Sequence, residues 1–162
     1  MTDRRTIAVF SRDDVVRPEW VDYNGHMGDF AYAIVFSQTV TDFMEEIGLD
    51  GAYRDATSAT LYTLDLRIGY QRECHEGARL VLTLHVLEAD AKRMHLYLEM
   101  HDEDGNLLAW NEQVLLHVSR ASGQPKAARF PDRIAERIMT AAKRGATILP
   151  LPHVERRLGL RK

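Results

Sequence analysis

One segment limits the possible folds more than any other. From Asp29 the chain reads DFAYAIVFSQTVTDFMEEI, nineteen residues with few charges. Phe30, Ile34, Ser37, Val40, Met44 and Ile47 recur at steps of three and four, with Ala33 and Thr41 filling in, which is helical spacing. Gly48 stands just past the last apolar position, where a left-handed residue closes a helix. Such a helix is roughly 28 Å long. With so little charge it needs cover on more than one side.

The chain beyond this helix supplies that cover. Four strand-like runs occupy residues 60–73, 78–90, 92–103 and 107–119. Leu80, Leu82, Leu84 and Val86 alternate with Val81, Thr83 and His85, and Leu96, Leu98 and Met100 alternate with His95, Tyr97 and Glu99. Asp104-Gly105 marks a hairpin turn between the last two runs. The short breaks HEG and ADA predict antiparallel neighbours in sequence order. An earlier strand is expected over 6–16, ended by Pro18. Residues 48–59 read as a turn-rich connection and 122–131 as a breaker. Asp132–Arg144 reads as a second helix with Ile134, Ile138 and Met139 as its apolar stripe. The order predicts an α+β fold, an antiparallel sheet wrapped around the long helix. One domain spans 6–144 and a basic tail spans 145–162.

The chain has 162 residues, 45% hydrophobic and 28% charged, enough for one domain with a real core. A net charge of −3 disfavours a nucleic-acid partner. The first residues lack a signal peptide's apolar stretch, and no run has the roughly 18 apolar residues of a membrane span. Cys74 alone cannot form an internal disulfide, so a cytoplasmic setting is expected. Its neighbours Glu73 and His75 do not form a base-and-orienter pattern around it, so it reads as a strand side chain rather than a nucleophile.

Just before the long helix stands VDYNGHM, residues 21–27. Asp22, Asn24 and Gly25 are ordinary turn and capping residues in such a place. The same residues also suit an active-site loop. The pattern of Asp22, Gly25, His26, Met27 and, five residues on, Tyr32 resembles the loop of hotdog-fold acyl-CoA thioesterases over roughly residues 6–120. The fuller string PEWVDYNGHM, with NEQVLLHV later, is similar to the betainyl-CoA thioesterases of carnitine catabolism. Gly28 departs from the asparagine that many relatives carry there.

The resemblance implies a role for each residue. Asp22 is the nucleophile or general base. Asn24 holds the loop or positions water, and His26 orients Asp22 or contacts the thioester. The backbone amides of Gly28 and Asp29, at the positive end of the helix dipole, would receive the oxyanion. Trp20, Tyr23, Gly25, Met27 and Tyr32 fall to the substrate. Phe30, Tyr62, Tyr70 and Trp110 are further aromatic candidates for a cage around a quaternary ammonium. Coenzyme A enters as part of the substrate, and no separate cofactor is expected. The resemblance also implies a homodimer or homotetramer with sites between subunits.

His75, His85, His95, His101 and His117 fall on strands or their ends without the spacing of a ligand pair, so no metal is expected. Glu73 and Glu112 either line the pocket or pair with arginine. Arg156, Arg157, Arg161 and Lys162 either meet CoA phosphates or stay solvated. Two rival functions remain open at this point. One is a hotdog-fold hydratase, although DYNGH lacks the proline of the Asp-x-Asn-Pro-x-His pattern. The other is a non-catalytic acyl-CoA-binding protein.

Overall fold

A computed structural model describes residues 8–151. The elements are β1 (Phe10–Val15), a 3-10 turn (Pro18–Trp20), α1 (Asp29–Ile47), α2 (Gly51–Thr57) and β2 (Ala59–Tyr70). Then come β3 (Arg79–Ala89), β4 (Arg93–His101), β5 (Leu107–Ser119), β6 (Lys126–Ala127), α3 (Asp132–Gly145) and a 3-10 turn at Ala146–Ile148. The six strands form one antiparallel sheet in the order β1-β3-β4-β5-β2, with β6 paired to β5.

Strand alternation sorts the side chains. Leu80, Leu82, Leu84, Leu96, Leu98 and Met100 join Ala31, Val35, Phe36 and Phe43 of α1 in one buried cluster. Each large side chain fully withdrawn from water there contributes about 1.5–3 kcal/mol. In β5, Gln113 donates to Asn111 Oδ1 at 2.7 Å, and Asn111 donates to the Arg67 carbonyl at 3.1 Å. These buried polar groups of the NEQVLLHV run tie β5 to β2 with their bonds satisfied inside the protein.

The long helix has the expected ends, and Gly48 closes it at φ 98°, a value that favours glycine. Its phase differs from the expectation. The buried face is Ala31, Tyr32, Val35, Phe36, Thr39, Val40, Phe43 and Ile47. Phe30 and Ile34 are 50% and 38% exposed. Both faces are apolar, so spacing alone could not select which one meets the sheet.

Three further expectations are corrected. Residues 51–57 form a helix, because Asp50 accepts a bond from Tyr53 N–H at 2.8 Å and so caps it. Met139 of α3 is 44% exposed, and Ala141 and Ala142 are buried with Ile134 and Ile138 instead. The largest departure is that β2 and β3 are not neighbours. Residues 71–78 carry the chain from β2 at one end of the strand order towards β3, whose partners are β1 and β4. Residues 152–162, including the basic tail positions, and the first residues of the expected 6–16 strand lie outside the described residues.

Candidate active site

VDYNGHM folds as a miniature hairpin. Val21 and Met27 form an antiparallel bridge, Asp22 N–H donates to His26 O at 2.8 Å, and Gly25 N–H donates to Asp22 O at 3.0 Å. Gly25 takes φ 79°, which closes the turn. Asp22 Oδ1 accepts from Asn24 N–H at 2.8 Å, while Asn24 Nδ2 stands 3.4 Å from Oδ2. The turn thus engages one carboxylate oxygen firmly and leaves the other weakly engaged. Asp22 is half-buried and does not cap α1, whose N-cap is Gly28.

The two amides expected to face an oxyanion differ. Gly28 N–H already donates to Trp20 O at 2.8 Å, which corrects its expected role as a free donor. Asp29 N–H, at the first helical position, has no partner among the described residues. It remains the available donor at the positive end of α1.

A second segment completes the surroundings, and it is the one that leads from β2 towards β3. Met27 N–H donates to Cys74 O at 2.8 Å, stitching the loop to residues 73–75. Extended backbone alternates its side chains. Cys74 accordingly points inward, 3.5 Å from Met27 Sδ and 3.4 Å from Tyr32 Oη. Burial pushes the Cys74 thiol above its ordinary value, only partly offset by the Tyr32 hydrogen bond, so it is not primed as a nucleophile. Burial likewise pushes the Tyr32 phenol up, helped by Cys74. Glu73 and His75 point outward. Glu73 Oε2 lies 3.2 Å from His26 Nδ1, and His75 Nδ1 lies 3.1 Å from Gly25 O. The His26 and His75 rings meet edge to face at 5.0 Å.

The expected substrate residues do not form a cage within one chain. Trp20, Met27 and Tyr32 are buried in the core, and Arg17 lies over the Trp20 ring at 4.7 Å. Tyr23, at the hairpin tip, is 97% exposed. Trp110 stands outside the helix-facing cluster, stacked on Tyr97 and beneath Arg67. The exposed aromatics at the head of α1 are Phe30 and Tyr70. Tyr70 Oη is 3.4 Å from the Asp29 carbonyl, and its ring meets Tyr32 at 5.2 Å. A groove of about 790 Å³ runs along residues 13–18, 76–77 and 79–81 with Glu103, and Asp22 is not among its lining residues.

Other histidines have structural partners. His95 meets Glu112 at 2.8 Å, and Glu112 pairs with Arg67 at 2.7 Å, so Glu112 is an arginine partner. His117 bridges Tyr53 Oη at 2.8 Å and the Ala128 carbonyl at 3.0 Å. His26, Glu73 and His75 are different, because the fold gathers them into one cluster. Reading each histidine singly could not find this group, since its members come from two distant segments.

Comparison with known proteins places the chain among relatives. Residues 16–138 match the thioesterase-like superfamily. A betainyl-CoA thioesterase of Pseudomonas aeruginosa is 40% identical over 147 residues, covering 90% of this chain and 91% of that protein. A longer L-carnitine dehydrogenase/betainyl-CoA thioesterase of Rhizobium meliloti is 37% identical over 113 residues, 69% of this chain but 23% of that protein. Among solved structures, a Staphylococcus aureus protein in complex with CoA superposes with a TM-score of 0.87 at 30% identity, covering 94% of this chain and 95% of that one. A 1,4-dihydroxy-2-naphthoyl-CoA thioesterase from Synechocystis shares the fold alone, with a TM-score of 0.71 at 18% identity over 80% and 94% of the two chains.

Proposed function

The chain belongs to the thioesterase-like superfamily, with a hotdog fold, and on that premise we propose that it hydrolyses betainyl-CoA to glycine betaine and coenzyme A. The observation that carries the reading is the 40% identity to a betainyl-CoA thioesterase across nearly the full length of both chains.

In this reading the Asp22 carboxylate attacks the thioester carbonyl or takes the proton from the water that does. The carbonyl oxygen becomes an oxyanion against Asp29 N–H, where an aligned donor in comparable sites contributes about 3–4 kcal/mol. The carbon–sulfur bond then breaks. Water supplies the hydroxyl of the released acid and the proton that ends on the thiol of coenzyme A. Asn24 fixes the turn that aims Asp22. Glu73 holds the His26 ring beside it. The exposed faces of Phe30 and Tyr70 receive the quaternary ammonium, each contact contributing about 0.5–2 kcal/mol.

The site is completed by a second copy of the chain, in a homodimer or a larger homo-oligomer, and the enzyme works in the cytoplasm. Two features support the pairing: the uncovered Phe30 and Ile34 face of α1, and the terminal place of β2 in the sheet. Release of free thiol across betainyl-, acetyl-, butyryl- and crotonyl-CoA tests the assignment. Betainyl-CoA is expected to turn over fastest, and Asp22→Asn to lose most of that activity while staying folded. Equal rates across the esters remove the betaine assignment, and a fully active Asp22→Asn removes the mechanism. Hydration of crotonyl-CoA without thiol release would point to the hydratase instead.

A further inference from the structure

We propose that His26, Glu73 and His75 form a binding site for a divalent transition-metal ion of the zinc type, on the surface beside the Asp22 hairpin. One ligand atom from each residue lies within 4.8 Å of the others. A tetrahedral ion with bonds near 2.0–2.1 Å holds its donors about 3.3 Å apart. The His26 Nδ1 to Glu73 Oε2 separation is 3.2 Å, so that pair already stands at the spacing of two ligands. Glu73 and His75 are exposed, so an ion can reach the cluster from solvent.

A second observation concerns His75. Its Nδ1 lies 3.1 Å from the Gly25 carbonyl, which can only accept. In the neutral imidazole that contact selects the tautomer with its hydrogen on Nδ1, so that Nε2 is the nitrogen that can ligate. Metal-bound histidines are typically fixed in the same way, by a carbonyl on the opposite ring nitrogen. The two ligand-bearing segments are also held to each other, because Met27 N–H donates to Cys74 O at 2.8 Å. Cys74 points into the core, so the donor set is two imidazoles and one carboxylate. This set favours zinc, copper or nickel over magnesium or calcium. Three protein ligands leave a fourth position for water.

Occupancy would take His26 out of its pairing with Glu73 and pin the loop that carries Asp22. The site stands on its own whatever the reaction at Asp22 proves to be. The test is calorimetric titration of chelator-stripped full-length protein with zinc chloride, in the absence of any acyl-CoA. One ion per chain is expected, with no binding heat from magnesium chloride. His75→Ala and Glu73→Gln should each weaken zinc binding at least about tenfold, and the zinc-dependent rise in unfolding temperature should disappear with them. His95→Ala, which alters the separate Glu88–His95–Glu112 cluster, should leave zinc binding intact. The proposal is overturned if the wild-type chain binds no zinc. It is equally overturned if binding survives both substitutions in folded protein, or is lost with His95→Ala instead.

Discussion

Cys74 sits between two outward-facing ligating residues yet turns the other way, and its chemistry follows from that turn. Burial raises the thiol's proton affinity, so little thiolate exists near pH 8. A water-soluble aromatic disulfide reagent is expected to modify native protein at least about tenfold more slowly than unfolded protein; equal rates would contradict the buried placement. The Asp22 motif is readable in the sequence because it lies within one short stretch, residues 22–32. Its surroundings are not. The contact between His75 and Gly25 spans 50 positions, and nothing local in the Glu73–Cys74–His75 stretch announces which loop it will face. Trp20 and Tyr32 show the converse failure. Their nearness to Asp22 in sequence suggests a cage, but both rings are spent on the core.

The hairpin that presents Asp22 is an element of seven residues whose shape depends on one backbone angle. Gly25 holds φ 79°, and a Cβ there would meet no atom within 4 Å. Gly25→Ala therefore tests conformational strain free of any clash. It should cost about 1–2 kcal/mol in denaturant unfolding, with a larger proportional loss of turnover as the carboxylate is re-aimed; an unchanged midpoint would mean the turn tolerates another geometry. The bounds of α1 and, to within two residues, of β3, β4 and β5 are legible from periodicity and turn residues, whereas β2, expected to run to residue 73, ends at Tyr70 and leaves Cys74 in the connection rather than in a strand. The face of α1 that meets the sheet is not legible, since Phe30 and Ile34 are as apolar as Val35 and Phe36. Neither is the neighbour of β2. The short HEG break conceals that the chain travels on to a strand it does not pair with.

For the whole molecule, β2 at the end of the strand order is the governing fact. Leu64 and Leu66 are 55% and 45% exposed on it, and a bare apolar edge invites another strand. Light scattering coupled to size exclusion should return at least twice the 18.5 kDa chain mass. Leu66→Lys should shift the population towards single chains, with turnover falling alongside. A wild-type chain that elutes as a fully active monomer would sink the shared site. The single-domain expectation for 6–144 rests on length and element order. The expectation of a second copy rests on the family resemblance and the unpaired edges, because a sequence does not display what its folded surface leaves uncovered.

The stitch between Met27 and Cys74 has a reach beyond its own bond. Cys74 lies four residues past the end of β2, so the loop bearing Asp22 is leashed to the outermost strand. Anything that steadies or loosens that strand will be felt at the carboxylate. Catalytic output per chain should then vary with dilution, and damage along the rim of β2 will be read as chemical failure although no reacting group has been touched.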